Sequence, residues 1–154
     1  MRRATTQSGF SLIEILIGLG ILTIIFSIGL LMSMDSFRGY SRRSERDTIV
    51  AMLQRTRSRA MANVGQSPWG ACFNGTNYIL FRGSSYASSV TTEVIEGNPA
   101  VSVTDTSSTP RFLCADGGVV FAQLTGNTNP VTITLVQGAI TSTVSTNSAG
   151  RIDW

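Results

Sequence analysis

Chemistry needs nucleophiles, bases or metal ligands at workable spacing, and this chain offers few of them. It contains no His and no Lys. That removes the Ser-His-Asp triad, the Cys-His dyad, the HExxH zinc site and the GxxxxGK[ST] phosphate loop together. The two Cys, Cys72 and Cys114, lie 42 positions apart, so no CxxC metal or redox motif exists. Asp105, Asp116 and Asp153 are too scattered to read as a calcium site. No metal, no cofactor and no enzymatic activity are expected; only a carboxylate-only or Ser-only site is left. The residue that stands out is an acid, Glu14, beside a long run of apolar side chains.

The elements around that acid must explain it. Residues 15–34 carry no charge at all. As an α-helix these 20 residues reach across a hydrocarbon core of roughly 30 Å. Arg2 and Arg3 precede the run, which favours a cytoplasmic N-terminus. A larger group of Arg, at 38, 42, 43, 46, 55, 57 and 59, follows it and opposes that orientation. A cleaved secretory signal is the alternative, but the run is too long and no A-x-A site follows it. A carboxylate at full membrane depth costs about 2.5–3.5 kcal/mol, less near the interface. On position alone, Glu14 is either a snorkelling surface residue or a charge with a partner.

Charge is scarce overall, 14% of residues against 42% hydrophobic, and it is uneven. The net charge of +3 comes from the N-terminal part, because residues 60–154 hold three Arg, at 82, 111 and 151, against five acids, at 93, 96, 105, 116 and 153. A basic pI of 9.4 therefore does not mark a nucleic-acid-binding surface. The Arg cluster reads as a helix surface facing solvent or lipid headgroups, with an anionic partner as the alternative.

The string Gly9-Phe10-Ser11-Leu12-Ile13-Glu14 resembles the processing signature of type IV prepilins and pseudopilins. The resemblance implies a leader, residues 1–9, cut by a prepilin peptidase at the Gly9–Phe10 bond, and N-methylation at Phe10. It also implies that Glu14 pairs with the N-terminal ammonium of a neighbouring subunit. Many major pilins carry Pro where this chain has Leu31, which points to a minor subunit.

No Pro occurs before Pro68, and apolar residues recur at helical spacing after Met34. The pattern predicts one helix from about Ser11 to Ala62, stopped by Asn63-Val64-Gly65. Its second half is amphipathic, with Phe37, Tyr40, Ser44, Thr48, Ala51/Met52, Arg55/Thr56 and Ala60 along one row. Ile49, Val50, Met52, Leu53 and Met61 add an apolar stripe. Gly18, Gly20 and Gly29 are either ordinary membrane-helix glycines or sites of close helix approach.

Beyond residue 66 short apolar runs alternate with turn signals. Strands are expected at Ala71–Phe73, Tyr78–Arg82, Thr92–Ile95, Val101–Thr104, Phe112–Ala115, Val119–Leu124, Val131–Val136 and Ala139–Val144. Asn74-Gly75 is a hairpin signal, and Gly83–Ser89 reads as a loop. Val131, Ile133 and Leu135 suggest one buried sheet face. An antiparallel sheet on the amphipathic half-helix would bury both apolar surfaces. The expected organisation is thus α+β: a leader at 1–9, a membrane half-helix at 10–34, an amphipathic half-helix at 35–65 and a periplasmic β-rich region at 66–154. Outside the cytoplasm Cys72 and Cys114 would form a disulfide, or else stand as two buried thiols.

Residues 55–63 followed by a hairpin, and the closing Gly150-Arg151-Ile152, are similar to H-type pseudopilins of type II secretion (GspH) and FimT-type minor pilins. The function implied is a structural minor pilin or pseudopilin, inserted in the bacterial inner membrane with its N-terminus cytoplasmic, then assembled into a pilus or pseudopilus. Other pilin subunits, the prepilin peptidase, an inner-membrane assembly platform and membrane lipid are the implied partners. The alternative is a DNA-binding minor pilin of a DNA-uptake pilus. Some FimT-type proteins bind DNA through Gly-Arg-x-Arg, which would place Arg151 on the nucleic acid, with Arg111 as a second residue to test. Here Asp153 stands where the second Arg would fall, and an acid repels phosphate.

Overall fold

The computed structural model describes residues 11–154, with side chains described outside 30–38 and 91–92. The chain divides into two compact units, Met1–Arg38 and Gly39–Trp154. Helix α1 (Leu12–Met61) contributes to both. Ser11 caps its start, because the Glu14 N–H donates to the Ser11 hydroxyl at 3.3 Å. Its end comes where Asn63 takes a left-handed φ of 56°. These limits lie within one residue of the expected ones.

In the N-terminal unit, Leu12–Gly29 has a mean hydropathy of 2.4, and none of this stretch is buried among the unit's described residues. It is long and apolar enough to cross a membrane. Its two hydroxyl side chains turn back on the helix: Thr23 donates to the Gly20 carbonyl at 2.8 Å and Ser27 to the Thr23 carbonyl at 2.9 Å. Neither needs water, which suits an apolar medium.

The second unit holds two four-stranded sheets rather than the single sheet expected. The strands are β1 (Trp69–Phe73), β2 (Asn77–Arg82), β3 (Val90–Glu96), β4 (Ser102–Asp105), β5 (Val119–Phe121), β6 (Val131–Gln137), β7 (Ile140–Thr146) and β8 (Ile152–Asp153). One sheet runs β3-β2-β1-β5 and the other β4-β6-β7-β8, and all strand pairs are antiparallel. The β1–β2 hairpin turns at Asn74-Gly75 as anticipated, and the Asn74 carboxamide oxygen accepts the Thr76 and Asn77 N–H groups at 3.0 and 2.7 Å.

The second half of α1 packs on the sheets through Ile49, Met52, Leu53, Thr56 and Ala60, all essentially inaccessible. The buried side matches the expected row at Met52, Thr56 and Ala60 but departs from it earlier, at Tyr40 and Ser44. Tyr40 is exposed and Glu45 is buried in its place. Sheet residues close the core from the other side with Ala71, Phe73, Tyr78, Leu80, Val131, Ile133, Leu135 and Val144. Alternation along β6 is as expected, with Val131, Ile133 and Leu135 inside.

The first sheet is covered on its outer face as well. Cys72, Ile79 and Phe81 form a second cluster with Tyr86, Cys114 and Val120. A Cβ on Gly70 would fall 2.2 Å from the Phe81 ring, so that strand position must be glycine for the ring to lie flat across it. The segment 83–89 is the loop expected, with one 3₁₀ turn at Tyr86–Ser88.

The expected strand at Phe112–Ala115 is absent. Leu113 makes a single parallel bridge to Phe73, and Cys114–Asp116 then forms a 3₁₀ turn. Two constraints explain this. Asp105 holds the Arg111 and Phe112 N–H groups at 2.5 and 2.8 Å, and Cys114 is tied to Cys72. The chain has no freedom to run on beside β1. The expected run Val119–Leu124 also stops early, at Phe121, because Leu124 adopts a φ of 66° to reach the helix end.

Candidate functional site

Among the residues singled out, Gly9 and Phe10 lie outside the described residues, as do Arg2 and Arg3. Glu14 lies in the first turn of α1, exposed, and makes no ion pair among the described residues. Its neighbours Leu12, Ile13, Ile15 and Leu16 are all more than half exposed. Here a carboxylate sits at a helix start, where the positive end of the helix dipole favours it, inside an otherwise apolar surface. Ser11-x-x-Glu14 has the spacing of a capping box, of which the Ser11 arm is formed. A charge in this setting can receive a cation from outside the chain.

The second unit carries no comparable reactive group. Cys72 and Cys114 are joined in a disulfide, and no free thiol exists. Under the loop-entropy model a bridge spanning 42 positions stabilises by roughly 3–4 kcal/mol. Among the described residues no group of three acid, Cys or His side chains could hold a metal ion.

Arg111 and Arg151 are not brought together. Arg111 borders a small cavity of 150 Å³ with Ser84, Asp116 and Asn129. Arg151 borders a groove between α1 and the C-terminal strand, with Arg57, Met61 and Trp154. The Arg151 guanidinium pairs with Asp153 at 2.8 Å, so the acid noted in the sequence compensates its charge.

Two polar clusters, one buried and one half-buried, were not legible in the sequence. The first centres on Glu45, whose carboxylate accepts the Tyr78 hydroxyl at 2.5 Å and the Asn98 N–H at 3.1 Å. Burial and the adjacent carboxylate push the Tyr78 hydroxyl pKa far above the usual tyrosine range. An acid four residues before Ile49 and eight before Leu53 was the only available signal, since that spacing puts it on the core face. The second is Asp105. Burial alone would raise its pKa, but bonds from the Ser107 hydroxyl and from the N–H groups of Phe112, Arg111 and Ser107 outweigh burial and hold the carboxyl below its ordinary value of 3.8.

The last turn of α1 is closed by distant loops. Leu124 donates its N–H to the Ala60 carbonyl at 3.0 Å, and Gln123 bonds the Asn63 side chain. Arg57 donates to the Ala149 carbonyl at 3.2 Å. Gly150 lies so close that an added Cβ would meet the Gly126 carbonyl at 1.9 Å.

Comparison with known proteins adds two findings. Residues 5–33 match the model of the prokaryotic N-terminal methylation motif. The structure of the minor pseudopilin EpsH from the type 2 secretion system of Vibrio cholerae superposes with a TM-score of 0.53, at 8% identity, covering 73% of this chain and 94% of that one. The fold is pilin-like. No curated protein matches the sequence. In this pilin-like chain the matched motif contains Gly9, Phe10 and Glu14, and it ends inside the uncharged stretch. Motif and fold are both pilin-like.

Proposed function

We propose that the protein is a minor pilin or pseudopilin subunit that waits in the bacterial inner membrane and then enters a type IV pilus or type II secretion pseudopilus. The match of residues 5–33 to the methylation motif carries this reading. The exposed apolar helix surface around Glu14 supports it, because no described residue of the unit covers that surface. The N-terminus lies in the cytoplasm and the β-rich unit in the periplasm, where the Cys72–Cys114 disulfide persists.

In this reading the prepilin peptidase cuts the Gly9–Phe10 bond, releasing residues 1–9. The new Phe10 amine is methylated. Once the subunit leaves the lipid interface for a bundle of packed helices, the Glu14 carboxylate loses water. An unpaired charge there is costly, and an ammonium from a neighbouring subunit offsets most of that cost. Pairing then selects one axial register among many that the apolar contacts alone would tolerate. The alternative, DNA binding through Arg111 and Arg151, gains no support: the two side chains border different cavities and Arg151 is paired to Asp153.

Mass spectrometry of the protein recovered from its host tests the processing step. The expected mass is that of residues 10–154 with one added methyl group; an intact chain beginning at Met1 in assembled material would refute it. Assembly is tested separately with Glu14→Ala, which should stay in the membrane fraction and be missing from sheared filaments. Normal incorporation of that variant would remove Glu14 from the mechanism.

A further inference from the structure

A groove of 780 Å³ runs within the second unit between the β4 edge of one sheet and the Phe73 end of the other. Its lining is mixed, with Phe73, Val101, Val103, Leu113 and Val136 as the larger apolar side chains and Thr76, Asn98, Ser102 and Gln137 as the polar ones. β4 pairs with β6 on one side only and ends the sheet order on the other. The Thr106 N–H donates to the Thr132 carbonyl at 2.8 Å, and Thr104 stands opposite Thr134. Antiparallel alternation then directs the N–H and C=O of Val103 away from β6, toward the groove.

The facing wall has the same character. The Phe112 carbonyl accepts the Phe73 N–H at 2.9 Å. Across a planar trans peptide the Leu113 N–H points the opposite way. A third polar group belongs to this place: Gln137 borders the groove, and its side-chain oxygen is buried without a hydrogen-bond partner. Buried amide groups are nearly always paired, so the Gln137 oxygen, together with the outward-facing Val103 and Leu113 backbone groups beside apolar side chains, suits a backbone partner. A lipid tail would fill the apolar surface but leave these groups unmet, and a charged ligand finds no Lys or Arg side chain in the lining.

We propose that this groove accepts an extended polypeptide strand from another protein, with apolar side chains at alternate positions, adding to the β4 edge. The added strand exchanges hydrogen bonds with Val103 and meets Leu113 on its other side. Alternate side chains go down onto Phe73 and Val101 and up to solvent. The proposal does not depend on the assembly reading.

Amide hydrogen exchange, resolved by NMR on the full-length chain in detergent micelles, tests it. The probe is acetyl-Thr-Val-Thr-Val-Thr-Val-amide, and the control is the same peptide N-methylated at each Val. Saturating probe should slow exchange at Val103 and Leu113 by about tenfold, the scale of one net backbone hydrogen bond, and the control should not. Ala100→Trp, a change at an exposed rim position, should weaken probe binding by at least as much while the disulfide and circular dichroism stay unchanged. Val103→Pro, which removes the groove-facing N–H from an edge strand, should do likewise. Equal protection by the control, or none from either peptide, overturns the proposal. Protection that rises with protein concentration alone would assign the groove to a second copy, and protection by detergent alone to an acyl chain; either result overturns the strand.

Discussion

Helix α1 solves the same problem in two ways. Between Ile15 and Gly29 it carries no charge on any side, and no described residue of its unit covers it. Between Ile49 and Ala60 it is apolar along one stripe, and two sheets of the same chain cover that stripe. The first stretch is long and apolar enough to cross a membrane. The second is complete in itself. The difference shows in the polar residues each tolerates. Thr23 and Ser27 bond back to their own helix, as the buried Thr56 also does to Met52, whereas Glu45 sits in a protein interior held by groups from the sheets and loops. The helix alone cannot be read as one kind of element; what covers it decides its energetics.

That contrast can be broken most directly at its strongest point. Leu53→Ala opens a cavity in the covered half and should cost about 2–5 kcal/mol in chemical unfolding of the β-rich unit. Leu19→Ala, in the uncovered half, should leave the same transition unmoved; a matching loss would mean the two stretches share one core. Replacing both Cys72 and Cys114 by Ser should lower stability by roughly 3–4 kcal/mol, read as a shift of the denaturant midpoint. The bridge pins the outer cluster of the first sheet, so the α1 stripe should keep its helical signal at low denaturant.

Tyr78→Phe leaves the Glu45 carboxylate with the Asn98 N–H alone and should cost about 1–3 kcal/mol. With the hydroxyl present, its raised pKa gives a sign to the alkaline limb. The folded state keeps its proton after the unfolded chain has lost it near the ordinary value of 10.0, so this contribution falls as pH rises past that point. Tyr78→Phe should flatten the fall. At the acid end Asp105 works in reverse. Its folded pKa is depressed, so its contribution is complete above about pH 4, the unfolded value, and is lost as pH drops through the folded one. Asp105→Asn should therefore narrow its gap to the parent between pH 7 and pH 2, as measured by thermal unfolding. The smallest effect is expected from Asp153→Ala, which removes an exposed ion pair worth about 0.2–1 kcal/mol.

Much of this was legible in the residues. The helix limits followed from the apolar spacing, the lack of Pro and a stop at Asn63-Val64-Gly65. Alternation gave β6, and Asn74-Gly75 gave the first hairpin. The division into two sheets was not legible, because strand order depends on long-range pairing that local pattern does not encode. The phase of the helix stripe was misread at Tyr40 because Glu45 holds a core position, and an acid there makes sense only once Tyr78 and Asn98 are seen beside it. The strand at Phe112–Ala115 failed for a related reason: Phe112 and Leu113 have strand-like side chains, but Asp105 and the disulfide fix their backbone from a distance. Glu14 could be found from sequence because its surroundings are defined by the run of residues next to it.

The closure at Ala60 has a mechanical side. A helix usually unravels from its ends, where carbonyls lack partners. Here Leu124, Arg57 and the loop at Gly150 fasten the final turn to both sheets. A pull along the helix axis must then shear many contacts at once instead of peeling off one turn after another, so the β-rich unit is harnessed to its helix for load.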